Sequence, residues 1–94
     1  MLIFKFTHGY GEMDYVAAET MLQSIVILCE TQDIDISELG NSQVIEFKSK
    51  FWDDVYLSDE EGSSFPNINS MEGKTLRDWI NENNYPDYIA GTNN

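Results

Sequence analysis

The sequence predicts an α+β domain: a short antiparallel sheet of about three strands packed on one long helix, with a second, short helix at its edge. Three observations lead there. Residues 1–8 alternate in hydropathy with a period of two, residues 13–31 carry apolar side chains at three/four spacing, and residues 74–83 repeat that spacing over a shorter stretch. At 94 residues the chain is expected to form one compact domain, residues 1–94, with a radius of gyration of about 12 Å. Two Trp, five Tyr and five Phe make it far richer in aromatics than a disordered acidic segment.

In the first strand Leu2, Phe4 and Phe6 point one way and Ile3, Lys5 and Thr7 the other. Both sets begin apolar, so both faces are expected to be partly covered. His8-Gly9-Tyr10-Gly11 then breaks the strand, because two glycines permit backbone angles that other residues avoid.

The long helix is expected over residues 13–31. Tyr15, Ala18, Leu22, Ile25 and Cys29 form its apolar face, broadened by Met21, Val26 and Leu28. Glu12 and Asp14 fall at its positive end, where a carboxylate is worth about 0.3–1 kcal/mol. Ile27 lands among Glu19, Thr20, Gln23 and Glu30 as a lone exposed apolar side chain. Cys29 is the single cysteine, which excludes an internal disulfide and any multi-cysteine zinc site, and it reads as a small buried hydrophobe.

Asp33, Asp35 and Glu38 belong to the acidic connection that follows. Its Asp-x-Asp-x-Ser start imitates a calcium loop, but Glu38 stands where that loop needs glycine and Val44 where it needs glutamate, so calcium is not expected. Residues 44–57 fit either a helix or a hairpin turning at Asp53-Asp54. Their β-branched and aromatic content, and an acidic end that opposes a helix dipole, favour the hairpin. Residues 58–67 read as a polar loop. The second helix buries Leu76, Trp79 and Ile80 and stops before Pro86, beyond which the chain is expected to fray from Gly91.

Charge carries the functional expectation. Seventeen carboxylates against five basic side chains give −12, beyond the magnitude of roughly 2–8 that suffices for solubility. Nucleic acid and anionic membrane are thereby disfavoured as partners, and a basic protein surface is favoured. With no leader-like or spanning segment, a cytoplasmic location is expected. The leading contact acids are Asp53, Asp54, Asp59, Glu60 and Glu61, followed by Asp33, Asp35 and Glu38. Tyr56, Tyr85 and Tyr88 are the aromatic contact candidates, whereas Trp52 and Trp79 are assigned to the core.

Catalysis finds no motif. The His8–Gly11 loop lacks the lysine of a phosphate-binding loop, and no nucleophile or orienting partner for His8 is identifiable. His8 therefore reads as structural or solvent-exposed. Adjacent acids such as Asp53-Asp54 diverge on a strand. No enzyme activity, catalytic residue, metal site or cofactor is expected.

In size, charge and composition the chain resembles the small acidic inhibitors of phages and mobile elements, such as DNA-mimicking antirestriction and anti-CRISPR proteins. That resemblance implies a stoichiometric inhibitor whose acidic surface blocks the nucleic-acid site of a host nuclease or CRISPR effector. A DNA turn of roughly 34 Å carries on the order of 20 phosphates, a density that seventeen carboxylates on so small a domain approach. The alternatives are an immunity protein or antitoxin that plugs a basic toxin, and a phage assembly protein.

Overall fold

The computed structural model describes residues 1–58 and 64–92. β1 (Leu2–Thr7) pairs antiparallel with β2 (Met13–Ala18) on one side and β3 (Gln43–Glu46) on the other. β2 pairs antiparallel with β7 (Asp87–Gly91), which meets β5 (Asn67–Ser70) in parallel. β4 (Tyr56–Ser58) joins β5 and β6 (Lys74–Thr75), both antiparallel. The product is a seven-stranded mixed sheet in the order β3-β1-β2-β7-β5-β4-β6. It replaces the expected three-stranded antiparallel sheet on one long helix. The Cα radius of gyration is 12.3 Å.

Two cores sandwich the sheet. On one face Phe4, Phe6, Val16, Ala18 and Tyr88 pack with Leu28 of α1 (Met21–Gln32). On the other, Ile3, Tyr15, Ala17, Ile89 and Ala90 pack with Leu76 and Ile80 of α2 (Leu76–Asn83) and with Trp52. Trp52 lies in a 3-10 turn, Ser49–Asp54, and its indole N–H donates to the Phe47 carbonyl at 2.8 Å. β1 follows its expected alternation, with Ile3, Phe4 and Phe6 all buried.

The expected long helix is really a strand followed by a shorter helix. β2 lies between β1 and β7 with a face under each core, so its side chains are buried without alternating. The spacing of Tyr15, Ala18 and Leu22 therefore mimicked a helix by coincidence. Thr20 marks the true start: its hydroxyl accepts from the Gln23 N–H at 3.1 Å, while the Gln23 carboxamide accepts from the Glu19 N–H at 2.7 Å.

This start also rotates the helix. Ser24 and Leu28 face inward, Ile27 is half-buried against the core, and Leu22 and Val26, expected inside, are 67% and 46% exposed. The expected face was phased on Tyr15 and Ala18, which do not belong to the helix. Cys29 is half-buried rather than buried.

Residues 44–57 do not form a hairpin. β3 pairs with β1, the 3-10 turn crosses to the other face, and β4 pairs with β5 and β6. Nor does the chain fray at Gly91, which is buried in β7. That strand holds an extra residue, since Tyr15 faces Ala90 while Val16 faces Tyr88. The bulge puts Ile89 and Ala90 into the same core. α2 matches its expected position, capped by Thr75 and Asp78, whose side chains reciprocally accept from each other's backbone N–H.

Candidate functional site

The charge is unevenly placed. Residues 6–47 contain eight carboxylates and no Lys or Arg. The five basic side chains lie elsewhere and are engaged. Lys48 pairs with Glu46 at 3.5 Å, Lys74 with Glu82 at 2.6 Å and Arg77 with Asp53 at 2.9 Å. Lys5 sits over the Phe47 ring and Lys50 over the Phe51 ring.

Glu30, Asp33, Asp35 and Glu38 are exposed at the C-terminal end of α1 and in the 3-10 turn Ile36–Leu39 that follows. None of them makes an ion pair among the described residues. Glu38 has a local task, its carboxylate accepting from the Asp35 N–H at 2.7 Å. Asp33 ends α1 in the left-handed conformation, with φ 53°. Asp35 and Glu38 form a capping box at the start of the 3-10 turn, whereas the Glu30 and Asp33 charges oppose the α1 dipole, at a cost of about 0.3–1 kcal/mol per carboxylate. Asn tolerates the same backbone without the charge. Partial burial, then the Asp35 and Glu38 carboxylates, push the Cys29 thiol up, keeping it protonated at neutral pH.

The expected contact residues are dispersed. Asp33, Asp35 and Glu38 fall together. Asp53 and Asp54 are exposed in the 3-10 turn on the opposite side of the sheet, where Arg77 neutralises Asp53. Asp59, Glu60 and Glu61 lie outside the described residues. Tyr85 is exposed beside Trp79, Tyr56 is half-buried in β4, and Tyr88 is only 2% exposed in the core. Tyr88 is therefore no contact residue, because β7 holds its ring against Phe65 under α1.

A second feature escaped the sequence reading. Continuing the pairing of Thr7 with Gln43 beyond β1 brings His8 beside Ser42, and the β1–β2 register places Asp14 opposite Phe6. The Asp14 carboxylate is buried. Its Oδ2 is 2.6 Å from His8 Nε2, and its Oδ1 accepts a short hydrogen bond from the Tyr88 hydroxyl. His8 Nδ1 lies 2.6 Å from Ser42 Oγ.

An ionised carboxylate only accepts, so neutral His8 carries its proton on Nε2 and leaves Nδ1 to accept from Ser42. Gly91 makes room for this chain. A Cβ there would stand 2.3 Å from Asp14 Oδ1 and 2.5 Å from the Tyr88 hydroxyl. His8 and Ser42 open into a cleft of about 820 Å³, whose walls include Glu12, Ile34, Glu38 and Leu39. His8 is thus a partnered, largely covered residue.

No helix among the described residues is long and apolar enough to cross a membrane. Among those residues no group of three or more His, Cys, Asp or Glu is arranged to hold a metal ion. Comparison of the chain with protein-family models, with curated proteins and with solved structures finds no match in any of the three.

Proposed function

We propose that the protein is a stoichiometric inhibitor whose acidic α1 end occupies the basic nucleic-acid site of a host nuclease or CRISPR effector in the cytoplasm. The observation that carries this reading is the group Glu30, Asp33, Asp35 and Glu38, which make no ion pair among the described residues and lie within a segment free of basic side chains, with Glu30 and Asp33 placed where negative charge weakens α1. A charge that costs stability calls for a use outside the fold. The molecule's long dimension, 34 Å, is comparable to one DNA turn. Binding here is steered by long-range attraction and weakens with salt.

The contact set is revised accordingly: Asp33, Asp35 and Glu38 stay, Glu30 joins them, and the neutralised Asp53 drops out. The test is displacement of a fluorescent DNA duplex from a purified restriction or RNA-guided nuclease. Near-equimolar displacement at 50 mM salt, fading by 300 mM, is the expected result. Its failure across both classes of enzyme removes the mechanism.

One observation favours a second reading. Leu22 and Val26 form an exposed apolar stripe on the same helix. A shape-specific contact with one toxin would use that stripe together with the acids, as an immunity protein does. Binding would then survive high salt, and the protein would restore growth to cells expressing the toxin.

A further inference from the structure

We propose that Ser42 is a nucleophile and that Ser42, His8 and Asp14 form an acyl-transfer site for small, uncharged carboxylic esters. The reacting groups are separate from the acids of the α1 end, although Ile34, Glu38 and Leu39 of that end line the same cleft. The hydroxyl, the imidazole and the buried carboxylate are joined in one line by contacts of 2.6 Å at either side of His8. This is the order of roles that activates a serine: nucleophile, base, and an acid that orients the base. The ring nitrogens are exchanged relative to the chymotrypsin arrangement, since Nδ1 faces the hydroxyl and Nε2 the carboxylate. The roles depend on the hydrogen bonds, and those are satisfied.

Tyr88 completes the support. Its hydroxyl, held in the core by β7, donates to the other Asp14 oxygen and fixes the carboxylate plane. Asp14 and Tyr88 are positioning residues, while Ser42 and His8 meet the reacting atoms. The site opens into a cleft of about 820 Å³, with apolar wall from Ile34 and Leu39 and with Asn41, an amide donor, next to Ser42. Glu12 and Glu38 on the walls repel an anionic substrate, so the acyl and alcohol parts are uncharged.

The chemistry balances with water alone. Ser42 Oγ forms a bond to the acyl carbon while its proton passes to His8 Nδ1, and Asp14 Oδ2 stabilises the imidazolium. The ester C–O bond then breaks and the alcohol departs with that proton. Water adds to the acyl-Ser42 carbon, giving its proton to Nδ1. Release of the carboxylic acid returns that proton to Ser42 Oγ.

The test treats the full chain with a fluorophosphonate probe and, separately, with p-nitrophenyl acetate. One adduct per chain on Ser42 by intact mass and peptide mapping is expected, together with turnover of the ester. Ser42→Ala should abolish the adduct, and His8→Asn should slow its formation at least 100-fold. Both variants must keep the wild-type circular dichroism spectrum. Ser42→Cys, labelled with iodoacetamide, offers a second route if the alanine variant unfolds.

For Asp14 the readout is the ring ¹⁵N shifts of His8. They should report the Nε2-protonated form in the wild type and a mixture in Asp14→Asn. No Ser42 adduct, equal labelling of wild type and His8→Asn, or a His8 tautomer unaltered by Asp14→Asn each overturns the assignment.

Discussion

Gly91→Ala should destabilise the fold far more than its size suggests. The new methyl would lie 2.3 Å from Asp14 Oδ1, 2.5 Å from the Tyr88 hydroxyl and 3.1 Å from the Met13 carbonyl. The carbonyl belongs to β2 and cannot retreat without disturbing the β2–β7 ladder. Overpacking of this kind costs about 1–3 kcal/mol. Displacing Asp14 from Tyr88 leaves a buried polar group short of a partner, at about 1–3 kcal/mol more.

A total near 3 kcal/mol lowers Tm by roughly 12–24 °C in a domain of this size. Gly40→Ala is the internal control. Gly40 has helical angles, φ −45° and ψ −38°, and its added methyl would meet only the Ser37 carbonyl at 3.6 Å. That variant should gain about 0.4–1 kcal/mol through the unfolded state. Urea and thermal unfolding of both variants decide the matter. A Gly91→Ala protein within about 0.5 kcal/mol of wild type would refute the packing of Asp14 and Tyr88 described above.

Further outcomes follow from the same structure. Leu28→Ala should cost about 2–5 kcal/mol and Leu22→Ala stay within about 0.5, and the reverse order in urea unfolding would return α1 to its sequence-expected rotation. Burial pushes the Tyr15 phenol up to about 12 from 10. The folded state then holds a proton that the unfolded state has lost, so stability is intact below pH 10 and falls as pH rises toward 12. The loss amounts to about 3 kcal/mol, and Tyr15→Phe should remove that slope in alkaline unfolding curves. Asp33→Asn keeps the left-handed cap and removes the charge opposing the helix. It should raise stability by about 0.3–1 kcal/mol at low salt, with the gain shrinking at 0.5 M salt, and a loss of stability would show that the carboxylate serves the fold.

What could be seen in the sequence depended on how local the information was. β1 is legible because its alternation survives with charge on one face. α2 is legible because Thr75 and Asp78 bracket a short amphipathic stretch. The start of α1 was equally available in Thr20-Met21-Leu22-Gln23, a capping pattern that outranks the apolar spacing upstream.

β2 hid because a strand covered on both sides loses its period, and β7 because it is short, bulged and ends in glycine. The acids at the end of α1 could be named from Asp33, Asp35 and Glu38, but their lack of counter-charge emerged only once every lysine and arginine had a place. The line from Ser42 to Asp14 was out of reach. It depends on a strand register that joins His8 to a residue 34 positions away.

In the proposed function the α1 end, and not the 3-10 turn across the sheet, meets a basic partner. Two variants, Glu30→Lys with Asp35→Lys, and Asp53→Lys with Asp54→Lys, alter net charge equally on opposite sides. Each is titrated against a fluorescent duplex held by the same nuclease at 50 mM salt. At least a tenfold loss of displacement, about 1.4 kcal/mol, is expected for the first pair and near wild-type displacement for the second. Equal losses in both would reduce the effect to net charge, and a loss confined to the second pair would move the contact to the 3-10 turn and overturn the role proposed for the α1 end.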